Sequence, residues 1–543
     1  MTSATPNQLA ALISALSRPG AYPEEAWAGL PTERRRVQLI HTHISVVFLT
    51  EGRAFKLKKP LCFWGLLDYG NPGLRLHWCR EEVRLNRRLA PDLYLGVAPV
   101  LQLAGGELAI GALGEELEGA EHVVVMRRFA EADTLAARLA AGHVSDGELQ
   151  ALGQRLARFH DHHPLEAELA EGADQRFAAV LRNNVRATRR SVPQLFPAVV
   201  HGLLVSALAL ALRHSRRLLR QRLAAGQAVD GHGDLRLEHV LLEPELAVVD
   251  GVEFNADLRQ VDRASDLAFL LMDLQAAGHG NRSGALLAGY GAEIEPAVLQ
   301  LFCAYRAHVR AKVEAATSGE EEVPGPQRQA AEAMARRYLS LALACASSGL
   351  QPPALVLLHG VSGSGKSHLA SRLAPWLQAD HQRSDLIRKG LYGLSPLQRP
   401  SADQRQSLYG PEAHQRTEEA LLAAAAASLA RGQWVLLDAT HLRAASRERA
   451  RQLALSHGAV PLLLELKADQ ALLQQRLQRR ERLDDDPSDA DLAVLLDQQR
   501  TAEPLSASER QGHLLVHSHP GLDDSAVLME LWQSWGRSLQ GQP

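Results

Sequence analysis

The stretch ALVLLHGVSGSGKSHLA, Ala354 to Ala370, decides how the second half of the chain is read. Ala354 to Leu358 is a run of small and apolar residues with the character of a buried strand. Gly360, Gly363 and Gly365 then open a tight loop and Lys366-Ser367 begins a helix, which is the strand, G-x-x-x-x-G-K-[ST], helix order of a phosphate-binding loop. Glycines let the backbone from Gly360 through Ser362, Gly363, Ser364 and Gly365 wrap an anion. Successive N–H groups and the helix N-terminus point at phosphate oxygens, Lys366 bridges the outer phosphates, and the Ser367 hydroxyl can ligate Mg²⁺. An ordinary Gly-rich turn is the competing reading, and the matching element type on both flanks argues against it.

At 543 residues the chain exceeds what one hydrophobic core usually serves, so two or three domains are expected. Its 46% hydrophobic and 22% charged residues are ordinary for globular material. A formal charge of -3 argues against a general nucleic-acid or membrane-surface binder and leaves a local basic groove open. The segment MTSATPNQLAALISAL lacks the cationic start and apolar core of a signal peptide. No apolar run approaches the roughly 18 residues of a membrane span, so a cytoplasmic protein without membrane association is expected. Cys62, Cys79, Cys303 and Cys345 form no C-x-x-C pair, which indicates neither zinc nor a disulfide framework but reduced, packed thiols.

In the first half, Ser45 to Thr50 and Ala54 to Lys58 read as the strands of a hairpin turning at Glu51-Gly52, with Lys56 and Lys58 on one face. For an isolated hairpin two such lysines are a wet edge. Leu76 to Ala90 has helical periodicity and carries Glu81 and Glu82, and Glu121 to Phe129 is a buried strand leaving through Met126-Arg127. Helices dominate from Leu135 to about Gln227. The histidines of RFHDHH, Arg158 to His163, lack the spacing of a helical zinc site, and the expectation is a helix end with one packed histidine. DGHGDLRLEHVLLEPELAVVDGVEFN, Asp230 to Asn255, then presents Asp234 and Asp250 sixteen positions apart at one end of a short hairpin. Asp234 can take the proton of an attacking hydroxyl and Asp250 can hold Mg²⁺ on ATP phosphates. Asp262 and Asp266 read as helix-start caps.

HGDLRLEH followed by VVDGVEFN resembles the aminoglycoside phosphotransferase and choline kinase branch of the protein-kinase-like fold, over roughly residues 35 to 340. The resemblance implies Asp234 as catalytic base and Asp250 as metal ligand. It further implies Lys56 as the strand lysine on the phosphates with Glu82 or Glu81 as its helix partner, and Met126 beside the nucleotide. Where that branch has Asn five places after the base this chain has His239, which binds phosphate or metal differently or marks a lobe of altered activity. Thr42-His43-Ile44-Ser45 stands where a Gly-rich loop is usual.

SSGLQPP, Ser347 to Pro353, reads as the linker between a domain at 1–346 and a second at 354–543. Beyond the phosphate-binding loop, HQRSDLIRKGLYGL places Asp385 at a helix start with Arg388 nearly on the same face, suiting a substrate hydroxyl and a neighbouring anion, or a plain cap with a helix ion pair. WVLLDATHLR is a buried strand closing on Asp438, a position for ordering Mg²⁺ through its water shell. The helix Gln470 to Arg482 carries Arg476, Arg479 and Arg480, followed by the acidic run LDDDPSDAD.

GVSGSGKS, RSDLIRK, LLDAT and RLQRR with SDADLAVL are together similar to the kinases that include polynucleotide 5′-hydroxyl kinases and zeta toxins, over about 350 to 540. That similarity implies Asp385 as general base, Arg388 as a substrate contact and Arg480 or Arg476 as a lid arginine. The whole chain resembles a bacterial fusion of an aminoglycoside-phosphotransferase-like domain to a P-loop kinase. The expected fold is a protein-kinase-like two-lobed domain followed by a P-loop domain with a parallel β-sheet flanked by helices, mixing α+β and α/β. The expected activity is transfer of phosphate from Mg-ATP to a hydroxyl of a small molecule, in both halves. The rivals are a C-terminal nucleic-acid 5′-hydroxyl kinase, which the overall charge does not favour, and an N-terminal lobe that only senses a nucleotide or ligand.

Overall fold

Strand Arg53–Lys58 alternates, with Phe55 and Leu57 turned to one face of its sheet and Ala54, Lys56 and Lys58 to the other. It is a central strand: the antiparallel sheet runs Gln38–His41, Ser45–Leu49, Arg53–Lys58, His122–Arg127, Tyr94–Gln102, Leu108–Ile110. One face packs Val46, Phe48, Phe55, Leu57, Val123 and Val125 on Leu16, Tyr22 and Trp27. The other packs Ala54, Val124, Met126, Tyr94 and Val97 on Cys79 and Val83 of helix Pro72–Asn86, which starts where Asn71 Oδ1 accepts Leu74 N–H at 2.9 Å. The two lysines therefore point under the helix, and the wet-edge reading fails because the strand is not an edge.

The computed structural model describes residues 6–63, 67–321, 323–401, 404, 407–483, 486–510 and 513–540. Asp484 and Asp485 of the acidic run lie outside them. The chain divides into two compact units, 1–173 with 220–274 and 281–293, and 174–219 with 275–280 and 294–543.

Below the sheet of the first unit lie helices Asp146–Asp161 and Ser283–Tyr290, whose backbones nearly touch. A Cβ on Gly153 would stand 2.3 Å from Leu286 O, and one on Gly289 2.1 Å from Gln150 O. The hairpin Val240–Leu241 with Ala247–Val248 and helix Arg263–Ala276 complete this lobe. The unit joins a six-stranded antiparallel sheet carrying helix Pro72–Asn86 to a helical part with short strand pairs, the α+β half of the mix expected of the sequence.

The second unit holds a five-stranded parallel sheet in the order Asp380–Arg383, Val435–Asp438, Ala354–His359, Val460–Lys467, Leu514–His517. Its central strands are almost wholly apolar because helices cover both faces of the sheet. Helix Gly325–Ser347, which the sequence reading assigns to the first domain, belongs to this unit. Ser340 Oγ accepts Trp532 Nε1–H at 2.7 Å and donates to Trp376 O at 3.0 Å, while Arg337 pairs with Asp524. Residues 347–353 consequently fall inside one unit, since the apolar face of that helix is buried against helices flanking the sheet.

Helix Ala198–Ala224 is long and apolar enough to cross a membrane by length and composition, against the sequence expectation. Its Val200, Leu204, Ala207, Leu208 and Ala211 are buried. Of the cysteines, Cys79, Cys303 and Cys345 are buried and Cys62 is exposed, so the expectation of packed thiols holds for three of the four.

Candidate functional site

In the first unit, Lys56 Nζ stands 2.9 Å from Glu82 Oε1 and 2.5 Å from Asp250 Oδ1. Glu82 is the helix partner, being fully buried, whereas Glu81 faces outward to Arg84 at 2.7 Å. The other oxygen of Glu82 lies 2.7 Å from Lys58 Nζ, which also pairs with Glu253, and Tyr69 OH donates to Glu253. A carboxylate this deeply buried is tolerable only with such partners. Burial alone would push Asp250 up, but Lys56 and then His239 hold it well below the usual carboxylate range. Asp250 sits at φ 63°, a left-handed conformation rare for a non-glycine residue, with its N–H donating to Tyr94 OH at 3.1 Å.

Asp234 and Asp250 flank His239. Its Nδ1 lies 2.8 Å from Asp234 O, a carbonyl that can only accept, so Nδ1 carries the proton. Nε2 points toward Asp250 Oδ2 at 3.8 Å. Nε2 also lies 3.7 Å from Glu238 Oε1; an imidazole nitrogen between these carboxylates, with Lys56 already on the other oxygen of Asp250, is a poor donor set for Mg²⁺, which prefers oxygen ligands. His239 does not fit as a Mg²⁺ ligand here. Among the described residues no group of three or more His, Cys, Asp or Glu is arranged to hold a metal ion.

Sequence reading missed what holds Asp234 in place. Asp266, fully buried, accepts His232 N–H at 2.7 Å and Gly233 N–H at 2.9 Å, and its Oδ2 lies 3.2 Å from His160 Nε2. It ties the HGD loop to helix Arg263–Ala276 rather than capping that helix. Asp262, accepting Ala264 N–H at 2.8 Å, is the cap. His160 is the packed histidine of RFHDHH, bonded to Tyr290 OH at 2.8 Å. Met126 is buried in the strand with Tyr94 and Val124.

In the second unit the loop from Gly360 to Gly365 wraps as the motif requires. Gly360 and Gly365 have φ 144° and 98°, and a Cβ on Gly360 would meet Leu466 O at 2.5 Å. Lys366 Nζ donates to Gly360 O at 2.8 Å and Val361 O at 2.9 Å, and Ser362 N–H donates to Gln498 Oε1 at 2.7 Å. Burial brings the Lys366 amine down to about 8, opposed by the charges of Asp438 and Asp385 and reinforced by that of Arg480. Asp438, buried at the end of its strand, is engaged by His381 Nε2 at 3.0 Å and by the Ser367 hydroxyl. Ser367 and Asp438 supply hard oxygen donors of the kind Mg²⁺ takes. His381 has no sequence signal, since it is one of four half-buried polar residues in its strand.

Asp385 faces Arg388 Nη1 at 3.0 Å, and Arg383, not Asp385, occupies the cap position. Arg388 stacks 5.0 Å from the Tyr409 ring, whose hydroxyl donates to Asp489 Oδ2 at 2.7 Å. Arg383 Nε, Arg388 Nε and Arg480 Nη1 are buried without a hydrogen-bond partner among the described residues. A cleft of about 240 Å³ opens beyond this helix between Tyr392, Leu394, Gln404, Ser407 and Leu408. Arg476 is braced on Gly363 O at 3.1 Å and Ser518 Oγ at 3.0 Å, and Arg480 Nε reaches toward Asp486 at 3.8 Å. The two lid candidates thus differ in role: one is fixed to the loop, the other has nitrogen to spare.

The family described as an AAA domain matches residues 355–505. Among solved structures, a putative kinase from Chloroflexus aurantiacus is 22% identical, covering 34% of this chain and 99% of its own at a TM-score of 0.28. A choline/ethanolamine kinase family protein from Mesorhizobium loti is 14% identical, covering 62% and 98% at a TM-score of 0.34. An uncharacterised protein of Mycobacterium tuberculosis is 31% identical over 438 residues, 79% of this chain and 83% of that one, and a Mycobacterium bovis protein matches to the same extent. With that identity sustained across most of both chains, this protein belongs to the family of these mycobacterial proteins and carries an AAA domain in its second half.

Proposed function

We propose that the chain is an ATP-dependent phosphotransferase moving the γ-phosphoryl group of Mg-ATP to a hydroxyl of a small-molecule acceptor at the P-loop site. The observation that carries this reading is the glycine loop itself, with Gly360 and Gly365 at positive φ, Lys366 Nζ folded onto the loop carbonyls and the Ser367 hydroxyl on Asp438. Backbone N–H groups from Gly360 to Gly365 cradle the phosphates, and Lys366 exchanges its carbonyl partners for the outer phosphate oxygens. Ser367 and Asp438 would hold Mg²⁺, which when bound supplies neutralisation of phosphate charge. Asp385 accepts the proton of the acceptor hydroxyl and aligns its oxygen, Arg388 binds the acceptor, and Arg480 offers its spare nitrogen to the transferring group. Arg476 keeps the loop in shape.

For the first unit, Asp234 as base with Lys56 on the phosphates, steadied by Glu82, would make a second transfer site. The closed pair of Lys56 with Asp250, and His239 in the metal position, favour instead a lobe that senses a nucleotide or ligand and regulates the P-loop site.

The test is phosphate transfer by the full chain from Mg-ATP to a panel of sugars, amino alcohols, nucleosides and a 5′-hydroxyl oligonucleotide. Transfer to a small-molecule hydroxyl that Lys366→Ala removes is the expected result. Transfer to the oligonucleotide alone, or to nothing, counts against the proposal.

A further inference from the structure

Gln175 to Val229 contains ten arginines and no lysine, aspartate or glutamate, in a chain whose 59 basic and 62 acidic residues nearly balance. The acid-free reach runs through two helices, Ala173–Arg189, whose single acid is Asp174 in the first turn, and Ala198–Ala224. Thr188 Oγ1 lies 3.1 Å from His201 Nε2, so the end of the first helix meets the start of the second. Leu181, Asn184 and Thr188 of one helix and Leu204, Ala207, Leu208 and Ala211 of the other are buried. Arg182, Arg186, Arg189, Arg190, Arg213, Arg216 and Arg217 are exposed. Among the described residues none of these seven stands in an ion pair; Arg186 donates to the neutral Asn183 Oδ1 at 3.2 Å. At about 1.5 Å of rise per residue, His201, beside the end of the first helix, and Arg217 are about 24 Å apart along their helix, so the charge falls in two clusters, Arg182 to Arg190 and Arg213 to Arg217, each able to meet phosphates of one strand.

We infer that the exposed side of these two helices is a docking surface for the phosphodiester backbone of a nucleic acid. Seven uncompensated charges of one sign repel one another, and a polyanion relieves that repulsion while releasing its own counterions. The side chains are all guanidinium, the group whose planar fork meets phosphate oxygens in pairs. A bilayer surface is the weaker match. Helices that lie in a membrane interface present an apolar face to the lipid, and between 175 and 229 the exposed large apolar side chain is Val199 alone. In helix Ala198–Ala224, which satisfies the length and composition of a span, Val200, Leu204, Ala207, Leu208 and Ala211 are turned into the protein's own packing. The surface docks a backbone whichever hydroxyl the P-loop site phosphorylates, and a near-neutral whole chain conceals it because the balancing carboxylates lie elsewhere.

The experiment is fluorescence anisotropy of a fluorescein-labelled oligouridylate of about 20 nucleotides titrated with the full chain at several salt concentrations, beside R186E/R190E/R213E/R217E. The parent is expected to bind with an affinity that falls at least about tenfold between 50 and 200 mM salt, as release of several counterions requires. The quadruple variant should lose at least about tenfold in affinity at low salt with its melting temperature and ATP turnover unchanged. Should it fold poorly, R186Q and R217Q alone should each flatten the salt slope by about 0.7. No binding by the parent at low salt, equal binding by folded variants, or arginine-dependent binding to phosphatidylserine vesicles without binding to the RNA would overturn the inference.

Discussion

Lys56 Nζ and Asp250 Oδ1, 194 positions apart in the chain, meet at 2.5 Å. The strand lysine that would steady phosphates is thereby satisfied by the carboxylate that would hold the metal, and each fixes the charge of the other. A nucleotide entering the first unit must separate them. In a Lys366→Ala background, where ATP binding at the P-loop site is weakened, Asp250→Ala should lower the remaining ATP binding further in calorimetry. His239→Asn should keep or strengthen that binding and make it more dependent on Mg²⁺; complete loss on this change would give the imidazole a role of its own.

At the P-loop site, Lys366→Ala should weaken ATP binding and turnover together, because the amine touches only the nucleotide side. Asp385→Asn keeps the size of the side chain and removes its basic charge. It should bind ATP normally and transfer phosphate about 10²- to 10⁴-fold more slowly, the usual loss of a positioned base. Equal single-turnover rates for parent and variant would leave Asp385 as a helix ion-pair partner of Arg388.

Asp266→Ala strands two backbone N–H groups and an imidazole in the core. At about 1 to 3 kcal/mol for each buried group left unpaired, a loss of about 3 kcal/mol or more is expected in chemical denaturation. Asp266→Asn, which keeps an acceptor, should cost less. An alanine variant as stable as the parent would remove Asp266 from its anchoring role.

His308, fully buried with its Nε2 on Thr188 Oγ1 at 3.0 Å, is pushed down to about 3 by burial, with His201 and Lys312 adding to the effect. The native state therefore keeps this ring neutral where the unfolded chain, near 6.5, takes up a proton. The sign is loss of stability as pH falls from about 6.5 toward the folded value, on the order of 2 kcal/mol by pH 5. Thermal melts between pH 7.5 and 5 should show the drop, and His308→Gln should be weaker at pH 7.5 but less sensitive to acid. An unchanged pH slope in the variant would assign the effect to other groups.

A fragment beginning at Ala354 should expose the side chains that helix Gly325–Ser347 covers, Trp532 and Trp376 among them. It should bind more of a hydrophobic dye and aggregate more, by light scattering, than a fragment beginning at Gly325, which keeps that helix. Equal behaviour of the two fragments would restore the boundary at 347–353.

Residues 354–370 by themselves determined the strand, glycine loop and helix of the P-loop, because backbone wrapping and phosphate contact are local properties of that spacing. The hairpin of Lys56, the pairing of HGD with Asp250, and the strand ending on Asp438 were legible for the same reason: alternation and turn chemistry act over a few residues. Tertiary structure alone chose Glu82 over Glu81, since both ride one helix turn and only packing decides which carboxylate lies beneath the sheet. It also made Asp266 an anchor rather than a cap, brought His381 onto Asp438, and gave helix Gly325–Ser347 to the unit of the parallel sheet. Each of these is a contact between groups far apart in sequence. Such contacts follow from which apolar faces bury each other, and residue spacing along one element carries no record of that choice.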